Sequence, residues 1–182
     1  MDTQLFFLLN NLAGLSTLSD FVIVFLASYL AYILIAIFLL FLLVIEHSNR
    51  EKIQFFLITV TSAIVARFGI TEFVRFFYHR PRPFITLHVH QLLTETSWSF
   101  PSGHATFFFA MSTAVYLYNK KWGIGFFIAT IIMTVSRVIA GVHYPADIIG
   151  GAIVGIAVAY GTYHTVRKIT ALQPVETEIP TH

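Results

Sequence analysis

Charged and turn-forming residues collect in three short stretches of an otherwise apolar sequence. The stretches are residues 75–83, 101–104 and 136–147. Their arginines present planar, bidentate donors that suit the oxygens of a phosphate group. Each stretch alone is a common kind of turn or helix end, but their conjunction in this order indicates an anion-binding site.

Three arginines and one predicted helix start form the candidate phosphate-binding set. Its members are Arg75, Arg82, Ser102, Gly103 and Arg137. The first turn of a helix at residues 102–103 would leave backbone N–H groups free, which favours an anion. Three neighbours are expected to support this set: Glu72, Pro101 and Ser136. Glu72 precedes Arg75 by three residues, so we expect it to orient the arginine side chain.

Two histidines and one aspartate have the chemistry to act on a bound phosphate. His143 and Asp147 are four residues apart, and Pro145 suits the first turn of a helix that would bring them together. Asp147 can then hold the His143 ring and fix its tautomer, so the other ring nitrogen becomes a nucleophile toward phosphorus. His104 can protonate the leaving group as a general acid. The set predicts hydrolysis through a phosphohistidine intermediate.

This chemistry predicts no metal ion and no cofactor. Carboxylates are few near the three stretches, whereas a two-metal phosphatase would need several. Three histidines, His79, His88 and His90, lie between the first two stretches. They lack the cysteines or paired carboxylates of a metal site, so we interpret them as loop residues.

Two further arginines lie outside the predicted phosphate-binding set. Arg80 is expected to meet lipid head groups or solvent, with a contact to phosphate as the alternative. Arg67 is expected about 12 Å deeper than Arg75 along a regular helix. At that depth it could pair with a polar group on another helix or support the site from below, and direct contact with phosphate is the less favoured alternative.

The elements that must position these residues are membrane helices. The chain has 182 residues, of which 57% are hydrophobic and 11% are charged, and its mean hydropathy is +0.77. This composition does not suit a soluble surface and is typical of a polytopic membrane protein. A net charge of +2 gives no support to a nucleic-acid partner, and the absence of cysteine excludes disulfides and thiolate chemistry.

We expect an all-α membrane helix bundle with about five transmembrane helices and an N-terminal interfacial or re-entrant helix, six helices in all. A span needs roughly 17–25 mainly apolar residues. The predicted spans are residues 21–45, 54–77, 104–118, 122–141 and 148–166, and the N-terminal helix is residues 4–15. A GxxxG pattern at Gly151 and Gly155 permits close helix contact. Residues 1–168 are expected to form one membrane-embedded domain, with a loose polar tail over residues 169–182.

The distribution of lysine and arginine predicts the orientation of these spans. Loops 46–53 and 119–121 and the C-terminal region carry most of the basic residues outside the three stretches. The positive-inside rule therefore places that face in the cytoplasm. The candidate site would then lie on the extracytoplasmic face of the plasma or inner membrane.

The three stretches, in this order, resemble the three-part signature of the type 2 phosphatidic acid phosphatase superfamily. The residues that carry the resemblance are Arg75-x6-Arg82-Pro83, Pro101-Ser-Gly-His104 and Ser136-Arg137-x5-His143-x3-Asp147. The resemblance implies an integral-membrane lipid phosphatase with His143 as nucleophile, Asp147 as its partner and His104 as the acid. It also implies phosphate binding by five residues: Arg75, Arg82, Ser102, Gly103 and Arg137. Arg75 stands where that family usually has lysine, which preserves the positive charge.

Two other stretches, residues 6–14 and 27–30, are similar to bacterial undecaprenyl-diphosphatases of that superfamily. This similarity implies removal of the terminal phosphate from undecaprenyl diphosphate, the carrier lipid recycled for cell-wall synthesis. Phosphatidylglycerophosphate, phosphatidate and a lipid A phosphate are the alternative substrates, and a non-enzymatic phospholipid transporter is the alternative class. The expected partners are a polyprenyl or phospholipid phosphate and membrane lipid, without nucleic acid.

Overall fold

The computed structural model of the chain describes residues 1–172, with side chains described as far as residue 169. Within these residues the fold is all-α, as predicted, with seven helices and no strand. The helices are α1 (Asp2–Asn10), α2 (Thr17–Val44), α3 (Asn49–Phe77), α4 (Pro83–Thr86), α5 (Gly103–Tyr118), α6 (Lys120–Ile139) and α7 (Pro145–Leu172). The sequence predicted six of them; the seventh is the one-turn α4, which Pro83 opens.

Four helices of the described chain, α2, α3, α6 and α7, are long and apolar enough to cross a membrane. Several of the helices have a polar side chain that caps their first turn. Ser48 and Glu51 form a capping box at the start of α3, and Asn119 caps α6. α2 and α3 each contain a π-helical segment, Phe25–Tyr29 and Val65–Ile70 respectively. Such segments displace side chains from a regular helical spacing and are frequent at functional sites.

The third predicted span, residues 104–118, is α5, which lies at the centre of the bundle and packs against α3, α6 and α7. It has only 16 residues, and most of them are buried, including Phe108, Met111 and Val115. Because its neighbours cover it, α5 needs less length than a lipid-exposed span. Its N-terminal end carries the second of the three polar stretches into the interior.

Two glycines let α7 pack directly on α5. An ideal Cβ at Gly151 would lie 2.7 Å from the Cβ of Ala105, and one at Gly155 would lie 2.8 Å from the backbone nitrogen of Ala110. No side chain fits at these distances, so the GxxxG pattern brings the two backbones into contact as predicted. This packing fixes the third polar stretch, at the start of α7, against the second.

The N-terminal helix α1 packs against the ends of α6 and α7. Asn10 at its end is buried and donates to the carbonyls of His90 and Ile139, both at 2.8 Å. Phe6 is fully buried and packs with Val138. α1 is therefore a fixed part of the scaffold at the end of the bundle that holds the three stretches.

The C-terminal boundary differs from the predicted one. The predicted domain limit at residue 168 falls inside α7, which continues to Leu172. Residues 173–182 of the predicted loose tail lie outside the described residues.

Candidate active site

The three polar stretches meet at one end of the bundle, where α3 ends and α5 and α7 begin. Arg75 donates to the carbonyl of Pro101 at 3.0 Å, which joins the first stretch to the second. The backbone N–H of Ser102 donates to the carbonyl of Asp147 at 3.0 Å, which joins the second to the third. Nη1 of Arg82 lies 3.4 Å from Nε2 of His143, which joins the third to the first.

His143 and Asp147 form the buried centre of this cluster. Nδ1 of His143 lies 3.4 Å from Oδ2 of Asp147, so Asp147 holds one ring nitrogen and leaves Nε2 turned toward Arg82. Asp147 is itself fixed, because Oδ2 accepts hydrogen bonds from the Ser99 hydroxyl at 2.5 Å and the Tyr144 backbone N–H at 2.8 Å. The turn before α7 thus presents an imidazole with one orientation.

The electrostatics favour a neutral ring at His143. Burial lowers the pKa of His143 to about 4, and the nearby charges of Arg137 and Arg82 act in the same direction against the hydrogen bond to Asp147. Burial also lowers the pKa of Arg82 to about 10, so this arginine remains a cation at neutral pH. A neutral imidazole therefore lies beside a guanidinium cation, which are the states that nucleophilic attack on a phosphate requires.

Three buried arginines belong to this cluster, and one of them, Arg82, contacts Nε2 of His143. The best-anchored is Arg82, whose Nε donates to the carbonyl of Ser97 at 2.7 Å and whose Nη1 donates to that of Val142 at 2.8 Å. Arg137 donates to the carbonyl of Ala27 at 3.1 Å. Among the described residues, the Nε–H groups of Arg75 and Arg137 are buried without a hydrogen-bond partner. The cluster therefore keeps donors that an anion could use.

Glu95 is a site residue that the sequence did not identify. Its carboxylate accepts a hydrogen bond from Nη2 of Arg137, and its other oxygen lies 3.9 Å from Nη2 of Arg82. Burial alone would raise the pKa of Glu95, but the charge of Arg137 and its hydrogen bond hold it below the usual range. A carboxylate anion therefore lies where the sequence predicted that phosphate would bind. Its sequence position, in the loop before α5, carries no motif that could have revealed it.

The prediction that Arg80 meets lipid head groups or solvent is wrong. Its Nη1 donates to Oδ1 of Asp147 at 2.7 Å, and its Nη2 donates to Asp2 at 2.5 Å. The guanidinium also lies 4.0 Å from the ring centroid of Tyr144. Burial alone would lower the pKa of Arg80, but its hydrogen bond to Asp2 and the charge of Asp147 raise it. Arg80 therefore ties Asp147 to helix α1.

At the start of α5, some of the groups predicted to donate to an anion are already used in protein contacts. Ser102 caps the helix, accepting from the N–H of Ala105, and its own N–H is used by Asp147. Within the described chain, the first-turn N–H groups left for an anion are those of Gly103 and His104. The backbone N–H of Ser102 is therefore not free for an anion, and a contact of its hydroxyl group with phosphate stays a prediction.

His104 faces a cavity of about 240 Å³ between α2, α3 and α5. Its ring lies parallel to that of Phe108, with centroids 6.5 Å apart. Within the described chain, no side-chain hydrogen bond fixes His104. The cavity walls include Tyr32 of α2 and Arg67 of α3. His104 therefore stands between the arginine cluster and a space large enough for part of a lipid.

The three predicted supporting residues have different surroundings. Glu72 contacts Arg75 at 3.3 Å, as predicted, and Pro101 contacts the same arginine through its carbonyl. The hydroxyl of Ser136 instead donates to the carbonyl of Ile132 within its own helix, at 2.8 Å. Among the described residues, the Ser136 hydroxyl therefore contacts its own helix rather than the arginine cluster, and its supporting role stays a prediction.

Two of the three loop histidines, His79 and His90, contact protein groups. The ring of His79 lies 4.8 Å from that of Trp98, and the backbone N–H of His90 donates to Asn10 at 3.0 Å. The described residues contain no group of three or more His, Cys, Asp or Glu side chains placed to hold a metal ion. Metal independence remains a prediction for experiment.

Comparison with known proteins gives one family and several relatives. Residues 51–171 match the PAP2 superfamily. The undecaprenyl-diphosphatase BcrC of Bacillus subtilis is 29% identical over 161 residues, which cover 88% of this chain and 81% of that protein. The bacitracin transport permease protein BcrC of Bacillus licheniformis is 28% identical over 172 residues, covering 93% of this chain and 83% of that protein.

A solved structure has the same architecture. The crystal structure of LpxE from Aquifex aeolicus superposes with a TM-score of 0.72 at 26% identity. The match covers 90% of this chain and 94% of that one. The similarity therefore includes nearly the whole bundle rather than the three polar stretches alone.

Proposed function

The chain belongs to the PAP2 superfamily, and on this premise we propose that it removes the terminal phosphate of undecaprenyl diphosphate through a phosphohistidine intermediate. Family membership and four membrane-length helices make it a membrane phosphatase. The observation that carries the proposed chemistry is the buried pair His143–Asp147. Its second ring nitrogen, Nε2, lies 3.4 Å from Nη1 of Arg82, and Arg75 and Arg137 belong to the same cluster.

In the first step, the terminal phosphate binds among the guanidinium groups of Arg75, Arg82 and Arg137. Its oxygens take the free donors of these arginines and the first-turn N–H groups of α5. Nε2 of His143 then attacks phosphorus, and Asp147 stabilises the imidazolium that forms. The arginines stabilise the charge of the transition state because they are already in place.

As the bond from Nε2 to phosphorus forms, the bond from phosphorus to the bridging oxygen breaks and the lipid monophosphate leaves. His104 lines the adjoining cavity and donates a proton to that oxygen. Water then attacks the phosphohistidine, with His104 as general base, which releases phosphate and restores His143. Each role uses a residue of the described cluster, and none requires a metal ion.

The choice of undecaprenyl diphosphate is supported by the relative that carries this name, which matches most of the chain. The cavity beside His104 supports a lipid substrate in general, because it opens between α2 and α3, which have exposed apolar surfaces. A head group could therefore reach the arginines while the tail stays between helices. The distribution of basic residues supports a site on the extracytoplasmic face.

A panel assay tests the proposal. Purified protein in detergent would be given undecaprenyl diphosphate, phosphatidylglycerophosphate, phosphatidate and lipid A, with phosphate release measured with and without EDTA. We expect undecaprenyl diphosphate to have the highest kcat/KM and EDTA to have no effect. A preference for another lipid would overturn the substrate, and loss of activity in EDTA would overturn the metal-free mechanism.

The name of the Bacillus licheniformis relative favours one second candidate, a non-enzymatic transporter of a phosphorylated lipid. A transporter would use the arginine cluster for binding but would not need a nucleophile at His143. In proteoliposomes that report lipid translocation, His143→Ala would leave a transporter active. The same variant would abolish phosphate release by a phosphatase.

A further inference from the structure

Arg67 shares an ion-pair partner with Arg75, one of the three arginines proposed to bind phosphate. It belongs to the π-helical segment Val65–Ile70 of α3, and its side chain is 25% exposed. Nη1 of Arg67 lies 2.5 Å from Oε1 of Glu72, and Nη1 of Arg75 lies 3.3 Å from the same oxygen. One carboxylate oxygen therefore bridges the two guanidinium groups. The expected separation in depth of these arginines is offset because the Arg67 side chain extends toward Glu72.

Gly103 allows the Arg67 side chain to lie over the first turn of α5. An ideal Cβ at Gly103 would lie only 2.9 Å from Cζ of Arg67. A larger residue at position 103 would therefore displace the guanidinium group. Because Gly103 has no side chain, the Arg67 guanidinium can lie beside the free N–H groups at the start of α5. The guanidinium and these N–H groups both favour an anion.

Arg67 and His104 line the same cavity. The walls of this space of about 240 Å³ are mostly apolar, including Ala31, Ile35 and Phe107. Among the described residues that line this cavity, Arg67 is the one whose side chain is permanently charged. An anion entering this space from the lipid side would therefore meet one arginine and the ring of His104.

This placement distinguishes two classes of substrate. With a phosphate monoester, the group that leaves past His104 is an alcohol without charge once it is protonated. With a diphosphate, the leaving group is a second phosphate, which brings negative charge into the cavity. An apolar cavity disfavours that charge unless a cation is present to pair with it.

On the basis of the proposed function, we propose that Arg67 binds the lipid-side phosphate of a diphosphate and so selects diphosphates over monophosphates. His143 forms a bond to the terminal phosphorus while the bond from that phosphorus to the bridging oxygen breaks. The electron pair stays on the bridging oxygen, which becomes part of the lipid monophosphate. Arg67 pairs with this departing phosphate, and His104 can donate it a proton.

Farnesyl diphosphate and farnesyl monophosphate provide a matched pair of probes, because they differ only in the second phosphate. Phosphate release from each would be measured with purified wild-type protein, Arg67→Gln and Arg67→Lys. For Arg67→Gln we expect the ratio of kcat/KM for the diphosphate to that for the monophosphate to fall about tenfold or more, as the loss of a charge-assisted contact predicts. Arg67→Lys keeps the charge and is expected to recover part of the ratio.

Two controls separate this role from a structural one. Glu72→Gln removes the ion pair of Arg67 but keeps the cation, so the diphosphate preference is expected to persist. Arg167→Gln makes the same charge change at the far end of α7, where Arg167 contacts Tyr163 at 3.1 Å, and is expected to leave both activities unchanged. Equal losses for both substrates in Arg67→Gln, or loss of the preference in Glu72→Gln, would overturn the role of Arg67.

The outcome for wild-type protein separates this inference from the proposed function. Hydrolysis of farnesyl diphosphate by wild type, with an unchanged ratio in Arg67→Gln, overturns only the role of Arg67. Hydrolysis of the monophosphate alone by wild type overturns the diphosphatase function itself.

Discussion

The two histidines of the site lie in contrasting surroundings. His143 is buried, and both of its ring nitrogens face fixed protein groups, Asp147 on one side and Arg82 on the other. His104 faces a cavity, and its ring packs against that of Phe108. One half of the site is thus rigid and enclosed, while the other is open toward the surface between two helices.

The contrast corresponds to what each half must do. In-line attack on phosphorus requires one geometry, and a nucleophile held by several hydrogen bonds meets that requirement without reorganisation. A leaving group attached to a long lipid must enter and depart, and an open cavity allows both. Substitutions on the enclosed half should therefore lower activity toward every substrate, whereas those on the open half should change activity by amounts that depend on the leaving group.

The largest effect is expected from His143→Ala, on the enclosed half. Without the nucleophile, kcat should fall by about 10⁴-fold or more for every lipid phosphate tested, as for the loss of other catalytic nucleophiles. The measurement is phosphate release, together with trapping of a labelled phosphoenzyme that is labile in acid and stable in alkali. Wild type should form this species and His143→Ala should not. A labelled phosphoenzyme in the variant would place the nucleophile elsewhere.

The second effect, from His104→Ala, should depend on the leaving group. A monoester needs a proton on its leaving oxygen, so kcat should fall by about 10²- to 10⁴-fold, the usual contribution of general acid catalysis. A diphosphate releases a weakly basic phosphate and should lose less. Rates with farnesyl monophosphate and farnesyl diphosphate give the comparison. Equal losses would mean that His104 acts mainly in the later attack by water, which is common to both substrates.

A third effect, from Arg80→Gln, returns to the enclosed half and concerns a positioning residue. Arg80 touches Asp147 rather than the substrate, so kcat should fall about 10- to 100-fold with little change in KM. The pH profile provides a second readout. Because the pKa of His143 is about 4, wild-type kcat/KM should fall only as the pH drops toward 4 and the ring becomes protonated.

Removing the Arg80 cation should stabilise protonated His143, so the acid limb of the variant should move to higher pH. Asp2→Asn provides the matched control, because it removes the other partner of Arg80 but leaves the contact with Asp147. It should shift the profile less than Arg80→Gln does. A fall in activity with an unmoved acid limb would mean that Arg80 only stabilises the fold.

The pairing of His143 with Asp147 could be predicted from the sequence, whereas the contacts of the residues around this pair could not, for physical reasons. Local spacing is enough to place His143 beside Asp147, since a helix brings residues four apart onto one face. The contacts of Arg80 and Glu95 depend instead on how α1 and the loop before α5 fold back, and no local pattern encodes those. The Ser136 hydroxyl turns to its own helix for a different reason: adjacent residues on a helix point about 100° apart, so proximity to Arg137 in sequence does not bring it to the arginine cluster.

The smallest effect is expected from Glu95→Gln, which acts where the two halves meet. The Glu95 carboxylate is paired with Arg137 and lies 3.9 Å from Arg82, so a phosphate must compete with it for the same donors. Neutralising it should strengthen product inhibition by inorganic phosphate about three- to tenfold, the scale of one exposed or half-exposed charge contact, while kcat changes little. Glu46→Gln, in the loop at the opposite end of α2, provides a control with the same charge change and should leave the inhibition constant as it is. Weaker inhibition in Glu95→Gln would instead assign Glu95 the task of orienting Arg137, and the enclosed half would then extend across the whole arginine cluster.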